Sequence, residues 1–160
     1  MIDTPSALLA RRLAFGIPAL ALGGAYVAQY GFGLPPCEMC WWQRYPHFAA
    51  LGLAFVSLVA APPRLWVAFA GIAIVLSGAI GGFHAGVEYG WWEGITACTG
   101  PAGAAGGDAL EAIMNAPLIR CDMAPWTILG ISLAGLNFLL STFGGLWILW
   151  LLARRKVPGL

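Results

Sequence analysis

Residues 65–87 read "LWVAFAGIAIVLSGAIGGFHAGV", 23 positions without one Asp, Glu, Lys or Arg. A helix of that length can cross the hydrocarbon core of a bilayer, which is about 30 Å thick and needs about 20 apolar residues. Three other runs are equally free of charge: Leu13–Cys37, Tyr45–Pro63 and Met123–Ala153, of 25, 19 and 31 residues. The second, being the shortest, begins inside the loop before it if it spans. Across all 160 residues the chain is 60% hydrophobic and only 9% charged. An average soluble domain is about 25% charged, and one this short has no interior large enough for so much apolar surface. Lipid offers no partner to a bare N–H or C=O, so each run is expected to be helical.

The expected architecture is therefore an all-α membrane protein in a single domain, residues 1–160. It is a four-transmembrane-helix bundle with spans at about 13–31, 43–61, 65–87 and 125–152. Two extracytoplasmic loops, about 32–42 and 88–124, join them. The stretch "RRLAFGIPALALGGAYVAQ" (11–29) has the basic start and small residues of a signal peptide. Its apolar run is longer than such a region, and an uncleaved first span is expected.

The basic residues separate sharply. Arg11, Arg12, Arg64, Arg154, Arg155 and Lys156 are six of the eight, and they share their segments with one acid, Asp3. Arg44 and Arg120 lie in the other two loops with Glu38, Glu88, Glu93, Asp108, Glu111 and Asp122. The positive-inside rule then sets both termini in the cytoplasm. All four cysteines, Cys37, Cys40, Cys98 and Cys121, fall on the outer, oxidising side, the arrangement expected of two disulfides.

In the third span Gly78, Gly82 and Gly86 lie four apart on one face. Small residues at that spacing let helices approach closely, either inside the bundle or in a dimer. The second outer loop carries a Gly-rich centre, "TGPAGAAGGD" (99–108), and then "DALEAIMNAP" (108–117). Asp108 and Glu111 resemble a capping box, and Leu110, Ile113 and Met114 share a helical face. A short helix on the membrane surface is expected there. Aromatic residues gather at the ends of the spans (Trp41, Trp42, Tyr45; Tyr89, Trp91, Trp92; Trp126; Trp147, Trp150), as an interfacial belt does.

The chemistry rests on "PPCEMCWWQR" (35–44). A structural zinc site wants four ligands, often two C-x-x-C pairs, or histidines at fixed spacing. The second pair here is split by 22 residues, and no His stands at ligand spacing, so no metal is expected. Haem attachment needs C-x-x-C-H, and Trp41 occupies the His position. A Cys37–Cys40 bond would close too small a loop to stabilise the fold much. C-x-x-C is instead the spacing of thiol–disulfide oxidoreductases, in which a helix N-terminus or a nearby cation stabilises a thiolate. Cys37, Cys40, Arg44 and His47 are spaced 3, 4 and 3. They form one stripe if the helix reaches back through them. Pro46 fits more cheaply if the helix starts near Trp42 or Gln43. Arg44 is then either the thiolate's cation or an interfacial side chain snorkelling to water.

With these residues the chain resembles the DsbB family, disulfide bond formation protein B. The resemblance rests on "PCEMCWWQR" (36–44), "FHAGVEYGWW" (83–92), Cys98 and "CDMAPW" (121–126), and on the four-helix layout. The related vitamin K epoxide reductase type also has two cysteine pairs, but its loop pair precedes the C-x-x-C. The resemblance implies an enzyme of the bacterial inner membrane. It reoxidises a periplasmic thioredoxin-like (DsbA-like) dithiol oxidase and passes the electrons to ubiquinone or menaquinone. It further implies that Cys98 meets the partner, that Cys121 is its mate, that Cys37 exchanges with this second pair, and that Cys40 faces the quinone. Arg44 and His84 would bind the quinone, while His47 has no such support and is expected to be structural. The bilayer, the oxidase and the quinone are the expected partners, and no nucleic acid is. Two other readings are a b-type haem carrier using His47 and His84, and a non-enzymatic bundle stapled by two disulfides.

Overall fold

The computed structural model describes residues 4–96, 98 and 119–154. The short helix expected at about 108–115 lies outside them. Four helices form the body, with a two-stranded hairpin before the last. Three of them, Pro5–Gly31 including its last turn, Pro63–Glu88 and Leu133–Ala153, are long and apolar enough to cross a membrane.

Helix α1 (Pro5–Tyr26) starts earlier than the charge pattern implied, taking in Arg11 and Arg12. Local chemistry sets the start: Thr4 accepts a hydrogen bond from the Ala7 N–H at 3.2 Å, and Pro5 sits where no intrahelical N–H is needed. The helix ends in one π-helical turn, Val27–Gly31. Helix α2 (Glu38–Val59) begins well before Trp42 and carries Pro46 in its third turn. It falls short of the apolarity of the other three because Glu38, Gln43, Arg44 and His47 occupy its N-terminal half. Helix α3 (Pro63–Glu88) matches the expected third span closely.

Helix α4 (Leu133–Ala153) begins later than the expected 125. Thr127–Ile128 (β1) and Ile131–Ser132 (β2) pair antiparallel instead. The turn between them holds Leu129 and Gly130 at positive φ, a conformation no helix continues. Ser132 then caps α4 by accepting from the Gly135 N–H.

Helix α3 is the centre of the bundle, packed against α4 and α2, while α1 lies on α4 and α2. The glycine stripe explains the closeness. A Cβ on Gly78 would lie 2.7 Å from the Thr142 backbone nitrogen, and one on Gly82 would lie 2.8 Å from the Phe138 ring. Gly86 is covered by the Trp92 ring. The stripe is thus consumed within the chain, as tight bundle packing requires. The half of the bundle away from the cysteines is closed by small and branched residues: Ala10, Ala14, Ala50, Ala54, Ala70, Val67, Ile74 and Ile148. Leu20, Phe55, Leu76, Phe143 and Trp147 point outward and stay exposed, the surface a lipid-facing bundle presents. Arg64 donates to the Leu152 carbonyl near the C-terminal end of α4, where a cation meets the negative end of the helix dipole.

Candidate functional site

The extended backbone of Cys37 makes it the N-cap of α2, and its sulfur accepts from the Cys40 N–H at 3.2 Å. Cys40 therefore lies in the first turn, where unpaired N–H groups and the helix dipole favour a thiolate. Both cysteines are free, with their sulfurs 2.7 Å apart. The sulfur–sulfur hydrogen bond and burial hold the Cys37 thiol well above its ordinary pKa.

Cys98 and Cys121 are bonded to each other. The Cys121 N–H also donates to the Cys98 carbonyl at 3.1 Å. Cys121 is wholly buried in one cluster with Cys37, Met39 and Val87, and Cys40 and Cys98 pack against it. The two pairs, 58 residues apart in sequence at their nearest members, are thus brought together. Beside Cys121, Arg120 grips Asp122 with two hydrogen bonds. The guanidinium holds that carboxyl below its usual pKa, but the pair is largely exposed and contributes little to stability.

His84 stands between the pairs. Its Nε2 lies 3.2 Å from the Cys121 carbonyl and 3.6 Å from the Cys37 sulfur. Its Nδ1 is 2.8 Å from the Gln43 amide nitrogen. Both ring nitrogens have partners. Glu88, one turn on, places Oε1 3.7 Å from Nε2. The ligand atoms of Cys37, Cys40 and His84 all lie within 4.8 Å of one another. The fold thus brings a His to the pair that sequence spacing did not.

On the other side of Cys40 an apolar cavity of about 320 Å³ opens between α1, α2 and α4. Leu20, Ala25, Ala28, Leu133, Leu136 and Leu140 form much of its wall. Its polar lining is Cys40, Gln43, Arg44, His47 and Asn137. Arg44 is 6% exposed. Its guanidinium donates to the Gln29 side-chain oxygen at 2.7 Å and to the Ala25 carbonyl at 3.4 Å. The Tyr26 and Trp41 rings flank it at 5.0 and 4.9 Å. The π-helical turn holds Gln29, an irregularity that occurs often at functional sites. No carboxylate pairs with Arg44 among the described residues. A buried cation without a counter-charge is costly, and this one faces a cavity beside a cysteine.

A family model for disulfide bond formation protein DsbB matches residues 8–151. The chain belongs to the DsbB family. It is 33% identical over 158 residues to a disulfide bond formation protein B of Azoarcus sp. (strain BH72), covering 87% of each chain. It is 30% identical over 167 residues to one of Polaromonas naphthalenivorans (strain CJ2), covering 96% of this chain and 95% of that one. An uncharacterized protein of Rickettsia prowazekii (strain Madrid E) is 26% identical over 130 residues, covering 78% of this chain and 76% of its own. No solved structure matches. As a DsbB protein with three helices able to cross a membrane, the chain is a multi-pass, disulfide-forming membrane oxidoreductase.

Of the six residues expected at the site, the four cysteines and His84 converge on one cluster, and Cys40 and Arg44 meet at the cavity. His84 is not among the residues lining that cavity, whereas His47 is. His47 Nε2 lies 3.0 Å from the Asn137 oxygen, and its Nδ1 has no hydrogen-bond partner among the described residues. Gln29, Gln43 and Asn137 were not found by sequence reasoning. Gln29 and Asn137 carry no charge and sit in charge-free runs, and Gln43 stands in the C-x-x-C stretch beside the charged Arg44, so composition gave no signal. Only a polar residue on a buried helical stripe would have pointed to them.

Proposed function

We propose that this protein is a thiol:quinone oxidoreductase of the bacterial inner membrane. It reoxidises a periplasmic thioredoxin-like, DsbA-like dithiol oxidase and delivers the electrons to membrane quinone. The carrying observation is the buried Arg44, paired with no carboxylate among the described residues, beside Cys40 at an apolar cavity opening between helices. The cavity fits the ring and first tail carbons of a lipid-soluble quinone, with polar groups grouped where a carbonyl needs them. Ubiquinone and menaquinone both meet that description. When bound, such a quinone accepts two electrons and two protons.

The chain's own residues then divide the work. Cys98 receives the attack of the reduced oxidase and forms a mixed disulfide with it, and Cys121 leaves as thiolate. In the oxidised form, in which Cys37 and Cys40 share a disulfide, the Cys121 thiolate attacks the Cys37 sulfur across their shared cluster. The Cys37–Cys121 bond forms, the Cys37–Cys40 bond breaks, and Cys40 carries the released charge. Arg44 stabilises that charge through the low-dielectric cavity, where one fixed cation acts more strongly than in water. All four helices cross the bilayer, both termini face the cytoplasm, and the cysteines face the periplasm. The bias of Arg and Lys supports that orientation.

The test combines the full-length protein, a reduced thioredoxin-like oxidase and a soluble quinone analogue. Quinone consumption is expected, and Cys98→Ala is expected to abolish it. A covalent complex with the oxidase should accumulate through Cys98 in Cys121→Ala. Consumption that survives Cys98→Ala would overturn the route.

A further inference from the structure

The proton on the His84 ring can be located from its neighbours. The Asn137 amide lies 3.2 Å from the Ser77 carbonyl, which can only accept, so the Asn137 group on that side is its NH₂. The same NH₂ lies 2.9 Å from the Gln43 side chain, which must therefore present its oxygen there. The other end of the Gln43 amide is then its NH₂, and it also meets a carbonyl, that of Met39, at 3.2 Å. That NH₂ donates to His84 Nδ1. Nδ1 is thus an acceptor without a proton, and the ring of a neutral His84 carries its hydrogen on Nε2. The result agrees with the Cys121 carbonyl, an obligate acceptor, lying 3.2 Å from Nε2. Two backbone carbonyls on different helices and one in the loop impose the same direction on the whole chain of amides.

We propose that Gln43 is a positioning residue for disulfide exchange, fixing His84 as a hydrogen-bond donor, rather than a base, between the two cysteine pairs. This rests on the thiol–quinone reading above and deepens it. His84 Nε2–H faces the Cys121 carbonyl, the Cys37 sulfur and Glu88 Oε1. It tethers the loop disulfide beside Cys37 and is aimed at the sulfur that must leave. In the step that yields the pairing seen here, a Cys98 thiolate attacks the Cys121 sulfur of a Cys37–Cys121 bond. The Cys98–Cys121 bond forms, the Cys37–Cys121 bond breaks, and the electron pair departs on Cys37. One disulfide and one thiolate precede the step, and one of each follows it, so no oxidant is needed. A buried Cys37 is a poor leaving group without a donor, since its surroundings hold it as a thiol. The fold makes room for this relay at Gly81, where a Cβ would lie 3.0 Å from the Asn137 amide nitrogen and 3.1 Å from the Gln43 oxygen.

The chain holds only two histidines, so the imidazole nitrogens of the ¹⁵N-labelled full-length protein can be assigned with His47→Gln and His84→Gln as references. The His84 spectrum is expected to show the hydrogen on Nε2. In Gln43→Glu, which offers an acceptor where the amide donated, Nδ1 is expected to gain a proton. Exchange between the pairs, followed by acid quench and thiol alkylation, should slow roughly tenfold to a hundredfold in Gln43→Leu, as loss of one hydrogen bond to a developing charge implies. A hydrogen on Nδ1 in the wild type, or no change at Nδ1 in Gln43→Glu, would overturn the proposal. The wild-type spectrum decides even if a variant fails to fold. A wild type that consumes no quinone would instead remove the functional reading, while the tautomer is read separately.

Discussion

The cysteine-bearing half of the helices and the half away from it solve the same lipid problem in opposite ways. Away from the cysteines, Ala50, Ala54, Val67, Ala70 and Ile74 close against α1 and α4, and the buried Ser57 hydroxyl donates to the Ala54 carbonyl of its own helix. Toward the cysteines, the same α2 and α3 bury Gln43, Arg44, His47, Ser77 and His84. There almost every polar atom is matched by another, and among the described residues Arg44 is matched by one amide, one carbonyl and two rings. The half away from the cysteines supplies cohesion. The cysteine-bearing half gives up some of it to hold a charge and two cysteine pairs at fixed distances, as functional sites commonly do.

That contrast can be broken from either side. The largest effect is expected from Cys40→Ala, which should abolish quinone reduction while leaving the Cys98–Cys121 bond and the fold intact, read by thiol counting and thermal unfolding. Ile74→Ala is the opposite case. It should lower stability by about 2–5 kcal/mol through a core cavity, with turnover per folded molecule unchanged. Arg44→Ala should cut quinone turnover about 10- to 100-fold, by loss of one preorganised charge, while attack of the oxidase on Cys98 keeps its rate. Equal loss of both steps would make Arg44 a structural residue.

The smallest effect belongs to the half-buried Asp122, whose partner Arg120 is exposed. Its pKa is lowered in the fold, so its contribution is present above the unfolded pKa and is lost as pH falls through the folded one. Asp122→Asn should therefore change stability by less than about 1 kcal/mol at neutral pH, and still less in high salt. A larger loss would mean that the loop around Cys121 depends on this pair.

The sequence made the helical class legible because charge-free runs in lipid permit little else. It failed at the ends, where local chemistry governs. Thr4 and Pro5 start α1 ahead of its arginines, where the charge pattern had closed the span, and the Leu129–Gly130 turn delays α4 inside a charge-free run. At the site, Arg44 was visible through its fixed distance from Cys40. His84 was visible through the family motif, but not its place between the cysteine pairs. That place depends on Gln43 and Asn137, whose partners lie 41 and 94 positions away from Gln43. His47 read as a member of a helical stripe, and only the convergence of α1, α2 and α4 turns that stripe into a cavity wall.

The central claim is that electrons leave through Cys40 into the cavity between α1, α2 and α4. A photoreactive quinone analogue, irradiated with the full-length protein and mapped by mass spectrometry, tests it most directly. Label is expected on Ala25, Ala28 and neighbouring positions of α1, and Arg44→Ala should reduce it. Label confined to Phe83 and Trp92, which line a second apolar groove between α3 and α4, would contradict the account.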